Sequence, residues 1–289
     1  MTAVSEMARG LAAPSIQPAW DRHILRARNP PHVAFDHHEY DREPCTMAPF
    51  FNRGDQIVER AFLFDPPAVS ALRDLVAPHV PHCSTFDLIV ATMWRARALS
   101  LNLDPALNVR VTFPVNARDK FNPPIIPTGY YGNVVTTPAA MATVAELQAD
   151  SVVRAVELVK KAKNQVSGDY MRSMMDLMAV RGRPPLAMGT TLFITDMRRV
   201  GVQELDYGWG RAAYGGPAKG NERGIPGFLS FLQPVRNRNG GECGILVPMS
   251  LPEPAMDLLA RELDAMMGRA AVDRAWKMST ATLFRWARK

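Results

Sequence analysis

Asp206-Tyr207-Gly208-Trp209-Gly210 packs an acid, two aromatic rings and two glycines into five residues, a grouping that chance rarely produces. Glycine opens backbone conformations closed to other residues, and a carboxylate beside such a turn can hold its amides. His37 and Asp41 stand at an H-x-x-x-D spacing, the pattern of an imidazole base oriented by a carboxylate. Asp41 is followed by Arg42, and prolines flank the pair, so a solvated or structural role is read for it. His79, His82 and Cys83 form the most metal-like cluster, but no fourth ligand is evident and Pro78 and Pro81 mark a surface turn, so no metal is assigned. Ser84 and Thr85 open a helix, where hydroxyls and free amides either cap the helix or receive an anion. Gly215-Gly216-Pro217-Ala218-Lys219-Gly220 lacks the spacing of a phosphate loop and is read as a turn.

Composition narrows the compartment and the partners. With 289 residues and 47% apolar composition the chain can bury a sizeable core. Cys45, Cys83 and Cys243 lie far apart, which argues against a disulfide framework and fits a reducing compartment. No window approaches the roughly 18 apolar residues of a membrane helix, and a leader-like start is missing, so a cytoplasmic protein without a membrane partner is expected. The formal charge is +6, but residues 269–289 hold six basic residues against Asp273, and six minus one leaves +5 in that tail. The remainder is almost neutral, so no nucleic-acid partner is read.

The elements that must position these groups can be read from the spacing. Residues 1–10 read as the last turns of a helix closed by Gly10, and residues 11–56 as a long connection rich in proline, charge and histidine. A strand is expected over residues 57–64, a helix from Pro66 to about Val76, and a second helix from Ser84 or Thr85 to about Leu99. Val109 to Val115 alternates as a strand. One helix is expected from Val144 to about Val166, another from Asp169 to Val180, a buried strand over residues 190–195 and a last helix from Met256 to Met267. The order of these elements predicts a layered α/β or α+β domain with a mixed sheet flanked by helices.

The Asp206–Gly210 stretch resembles the DFGWG motif of the BAHD family, plant acyl-CoA-dependent acyltransferases, with Tyr207 in place of Phe. The resemblance extends to Ala27-Arg28-Asn29-Pro30-Pro31, His37-His38-Glu39-Tyr40-Asp41, Ser84-Thr85-Phe86-Asp87, Val115-Asn116-Ala117-Arg118, Thr128 to Asn133 and Tyr214 to Gly220. These segments point to the alcohol acyltransferase branch that includes benzyl alcohol O-benzoyltransferases. Only the last twenty or so residues depart from it.

The resemblance implies two chloramphenicol-acetyltransferase-like domains with the channel between them. Residues 1–10 would be the stub of the first domain, 11–55 the crossover and 56–289 the second domain, with 269–289 an atypical tail. The general-base histidine of the family's HxxxDG would then lie before Met1, through either a truncated gene reading or a genuine half-protein, and the chain alone is expected to be inactive or very weak. Acyl-CoA would be a co-substrate, with no bound cofactor and a small alcohol as acceptor. Thr195, eleven residues before Asp206, matches the position whose hydroxyl donates to the oxyanion, although a threonine ending a strand is also ordinary strand chemistry. Ser84 and Thr85 would face the CoA, and Arg118 would pair with the carboxylate of Asp206. Because the chemistry is direct transfer, Cys83 has no nucleophilic task. Family members are usually monomeric, and the face that meets the first domain gives this chain an apolar surface for self-association. The alternative is a non-catalytic half that binds CoA or associates with an intact homologue.

Overall fold

The helix predicted to start at Ser84 becomes the centre of the molecule. A computed structural model describes residues 1–41, 54–186, 189–210, 226–236 and 242–268. In it the Ser84 hydroxyl accepts from the Asp87 amide while the Asp87 carboxylate accepts from the Ser84 amide, a reciprocal cap. The helix behind it (α3, Thr85–Ser100) is buried almost all round, with Leu88, Ile89, Met93 and Trp94 fully enclosed. An apolar circumference of that kind requires neighbours on every side. They are α2 (Pro66–Val76), α4 (Val144–Ala149), α5 (Val152–Asn164) and α7 (Glu253–Met266). Val152, Val156 and Val159 of α5 and Met256, Leu259 and Leu263 of α7 repeat at helical spacing and turn inward.

These helices cover one face of a six-stranded sheet. The strands are β1 (Ile57–Phe64), β2 (Asn108–Thr112), β5 (Ala139–Thr143), β6 (Thr191–Asp196), β7 (Leu229–Arg236) and β8 (Glu242–Pro252). Their spatial order is β1-β8-β7-β6-β2-β5, with β7-β6 and β6-β2 parallel and the other pairs antiparallel. Val109, Val111, Leu192, Ile194, Val247 and Met249 belong to the core under the helices. Alternation sends Arg110, Thr112, Phe193 and Thr195 to the opposite face. A short ladder, β3 (Val115–Asn116) with β4 (Val135–Thr136), stands apart from the sheet.

The opposite face receives the N-terminal part of the chain. After α1 (Thr2–Ala8), residues 11–41 run extended, broken by single helical turns at Arg22–Leu25 and His38–Tyr40, the second of which lies against β5. Residues 28–39 of this stretch are clasped by α6 (Gly168–Arg181), which buries Tyr170, Ser173 and Asp176. Among the described residues no helix is long and apolar enough to cross a membrane.

Two expectations of the sequence need correction. The single helix over residues 144–166 is two, because Asp150 takes an extended conformation and the Ser151 hydroxyl caps a new start by accepting from Val153. The strand over residues 109–115 stops at Thr112, and Val115 pairs instead with Thr136 in the small ladder.

Candidate functional site

The Asp206–Gly210 motif forms a surface turn. The Asp206 carboxylate accepts from the amides of Gly208 at 2.8 Å and Gly210 at 3.0 Å. Both glycines sit at positive φ, +106° and +98°, which explains why the two positions demand glycine. The turn leaves the Trp209 indole 93% exposed. The end of α1 comes near it, and a Cβ on Gly208 would stand 4.0 Å from Arg9.

The expected pairing of Asp206 with Arg118 is not formed. Arg118 gives its guanidinium to the carbonyl oxygens of Tyr130 at 3.3 Å and Gly132 at 2.8 Å, and no ion pair between described residues joins it to Asp206. The physical reason is that the Tyr130 and Gly132 carbonyls occupy Arg118, while Asp206, only half-buried, takes amides of its own turn. Arg118 instead anchors the Thr128–Asn133 turn. Gly129 there, at φ +80°, has room for no side chain, since a Cβ would lie 2.2 Å from the Gln17 carbonyl oxygen. That close approach lets Ala19 bridge to Tyr130, with Tyr131 donating to the Ala19 carbonyl at 2.9 Å.

Thr195 stands half-buried near the end of β6, on the face away from the helical layer and level with Phe231 of β7. The adjoining Asp196 carboxylate binds the Arg198 guanidinium at 2.6 Å, a local clamp on the chain as it leaves the strand. Ser84 and Thr85 stand in a dense polar cluster. Lys163 reaches the Asp87 carboxylate at 2.5 Å and the Ser84 hydroxyl at 3.2 Å, and Arg73 donates to the Thr85 hydroxyl at 3.3 Å. Two cations therefore flank the start of α3. His79 and His82 are exposed while Cys83 turns into the core, so these three side chains do not converge. Gly215–Gly220, Cys45 and residues 269–289 lie outside the described residues.

His37 and Asp41 do not act as a pair. His38, not His37, bonds to Asp41, at 2.9 Å, and Arg110 approaches the same carboxylate at 3.8 Å. His37 is buried with a side chain 2% exposed. Its Nδ1 lies 3.2 Å from Glu39 Oε1 and its Nε2 lies 3.0 Å from Ser173 Oγ. Tyr170 packs against the ring at 4.7 Å, tilted by 60°, and donates to Glu39 at 3.1 Å. Burial, with the Glu39 charge beside it, pushes the Tyr170 hydroxyl far above the usual range, so it acts as a donor. Burial likewise raises Tyr40.

One helical turn further along α6, the fully buried Asp176 carboxylate accepts from the amides of Arg28 at 2.7 Å and His32 at 2.9 Å and from the Arg28 guanidinium at 2.6 Å. Burial alone would raise this carboxyl, but those donors outweigh it and hold the group below the ordinary range. The seam Tyr170, Ser173, Asp176 repeats every third residue in a methionine-rich helix. That spacing is the signal the sequence carries for it.

Comparison with known proteins bears on more than nine-tenths of the chain. The Transferase family matches residues 1–266. Benzyl alcohol O-benzoyltransferase from Petunia hybrida is 48% identical over 274 residues, which cover 94% of this chain and 59% of that protein. The Nicotiana tabacum protein described as benzyl alcohol O-benzoyltransferase is 49% identical over 267 residues, covering 92% and 57%. Alcohol acyl transferase 2 of Malus domestica is 41% identical over 268 residues, covering 91% and 57%. The chain thus spans less than three-fifths of the length of these relatives. Among solved structures, vinorine synthase superposes with a TM-score of 0.59 at 21% identity, over 92% of this chain and 57% of its own. F. graminearum TRI101 complexed with coenzyme A and deoxynivalenol gives 0.59 at 16% identity, over 90% and 58%.

Proposed function

The chain belongs to the Transferase family, the BAHD acyl-CoA-dependent acyltransferases, and from that premise we propose that it forms part of an enzyme that transfers an acyl group from benzoyl-CoA or a similar thioester to an alcohol hydroxyl. The observation that carries this reading is the identity of 48% and 49% to two benzyl alcohol O-benzoyltransferases across nearly the whole chain. In the reaction a histidine base removes the alcohol proton, the oxygen attacks the thioester carbonyl, and the oxyanion collapses as CoA leaves. This chain contributes Thr195 as the oxyanion donor, and the start of α3 as part of the wall for CoA, where Lys163 and Arg73 bring positive charge to Ser84 and Thr85.

The general base is assigned to the portion of the longer relatives that these 289 residues do not span. The burial of His37 supports that assignment, because both ring nitrogens are engaged by buried partners, Glu39 and Ser173. Residues 11–55 take the part of the crossover between the two halves. The exposed Val4, Met7, Leu11, Ile16, Trp20, Tyr131 and Trp209 support a second reading, a half that associates with a homologue or with itself.

The test is CoA release from benzoyl-CoA and benzyl alcohol by the 289-residue chain alone, and by a fusion that adds the unspanned portion of the tobacco relative. Little or no turnover is expected alone, since loss of a base costs about 10²–10⁴-fold, and measurable turnover is expected of the fusion. Thr195→Ala in the fusion is expected to lower the rate by about 10²–10³-fold. Robust turnover by the chain alone would return the base to a residue within it.

A further inference from the structure

The geometry points to an acid-labile latch, in which one proton added to His37, inside its cluster with Glu39 and Ser173, frees residues 34–37 from α6 while Arg28 and His32 stay on Asp176. The inference stands on hydrogen-bond accounting in that cluster and does not depend on the acyl-transfer reading.

Ser173 Oγ accepts from two amides, Ala34 at 3.0 Å and Phe35 at 3.2 Å. A hydroxyl oxygen has two lone pairs, so both are occupied and the hydroxyl proton must go to its remaining neighbour, His37 Nε2. His37 Nε2 is therefore an acceptor, and its Nδ1 proton donates to Glu39. Tyr170 supplies the other donor to that carboxylate. Every proton in the cluster has an acceptor. A further proton on Nε2 would confront an oxygen with no free lone pair, and one on Glu39 would be an O–H with no acceptor in the cluster. Neither arrangement closes within the cluster, where Ser173, His37 and Glu39 are all buried.

The order Ser173, His37, Glu39 is also that of a hydrolytic triad, but Ser173 is fully buried and both of its lone pairs are taken, so it has no nucleophilic access.

A cleft of about 280 Å³ borders the cluster, lined by Asp36, His37, His38, Asp41, Leu177 and Arg181. The charged and titratable groups around His37 are Asp36, His38, Glu39, Tyr40 and Asp41 from its own segment, Tyr170 and Arg181 from α6, and Arg110 of β2, which approaches Asp41. In the released segment water serves both ring nitrogens, so an added proton there breaks no bond, whereas in the seated cluster it displaces an amide from Ser173; acid therefore drives release. Release would break the Ala34 and Phe35 bonds first, leaving Arg28 and His32 on Asp176 as the remaining hold.

Hydrogen–deuterium exchange of the 289-residue chain tests this, with peptides over residues 28–41 compared at about pH 5 and about pH 8 after correction for intrinsic exchange. Opening at Ala34 and Phe35 is expected to rise roughly tenfold at the lower pH, the shift that one lost buried hydrogen bond produces. In His37→Gln the pH dependence is expected to vanish. Equal protection at both pH values, or a pH dependence that survives in His37→Gln, would overturn the latch. A second measurement needs no variant: nitrogen-15 shifts of the histidine rings at neutral pH are expected to show His37 as the neutral Nδ1–H tautomer. An imidazolium or an Nε2–H tautomer would overturn it.

Discussion

Two stretches of this chain, His37–Asp41 and Asp206–Gly210, each combine acidic and aromatic residues with potential catalytic meaning, and they have opposite fates in the fold. The first buries His37 and Glu39, which are held by Tyr170 and Ser173 of α6. The second is a glycine-shaped turn that leaves Trp209 in solvent. The difference teaches that an unusual motif marks a demand on the backbone, here two positive-φ glycines, while burial marks where the stability resides. Substitutions in the two stretches should therefore act on different quantities.

The largest expected effect lies on the buried side. Asp176→Ala leaves the Arg28 and His32 amides without their acceptor and is expected to cost about 3 kcal/mol in urea unfolding. A loss below about 0.5 kcal/mol, the range of surface substitutions, would show that water replaces the carboxylate and that the buried side is no more stable than the turn.

Acid sharpens the same contrast. The Asp176 carboxyl titrates lower in the fold than its ordinary value of 3.8, so its contribution is present above that value and is lost as pH falls through the lower, folded one. Asp176→Asn should therefore unfold with a shallower pH dependence than the parent chain below about pH 4. Identical slopes would remove Asp176 from the account.

Gly129→Ala tests the link between the N-terminal segment and the body. Its Cβ would meet the Gln17 carbonyl at 2.2 Å in a left-handed conformation, and a cost of about 2 kcal/mol is expected, with faster amide exchange at Ala19 and Tyr131. The smallest effect belongs to the exposed turn. Trp209→Ala is expected to change stability by no more than about 0.5 kcal/mol while reducing self-association in sedimentation. A large loss of stability there would show that the indole packs after all, and would break the contrast.

The candidate site was legible in the sequence to different depths. The cap at Ser84 and Asp87, the strand over residues 57–64 and the helix after Asp65 follow from local chemistry, and they stand where their spacing places them. The break at Asp150-Ser151 was readable too, as a capping residue inside a helical pattern, but continuous periodicity hid it. The partner of Arg118 was not readable. A guanidinium can satisfy itself on carbonyl oxygens as well as on a carboxylate, and which of these is nearby depends on chain turns remote in sequence.

The sequence by itself determined what depends on neighbours along the chain: where helices begin, which strands alternate, which turns require glycine, and a family resemblance carried by short motifs. Tertiary structure alone decided which polar groups are buried together. Ser173 and His37 are 136 residues apart, and Arg28 and Asp176 are 148 apart. No local propensity ties such pairs. They meet because α6 must bury a polar stripe, and residues 28–41 supply amides, a guanidinium and an imidazole in the order that satisfies it.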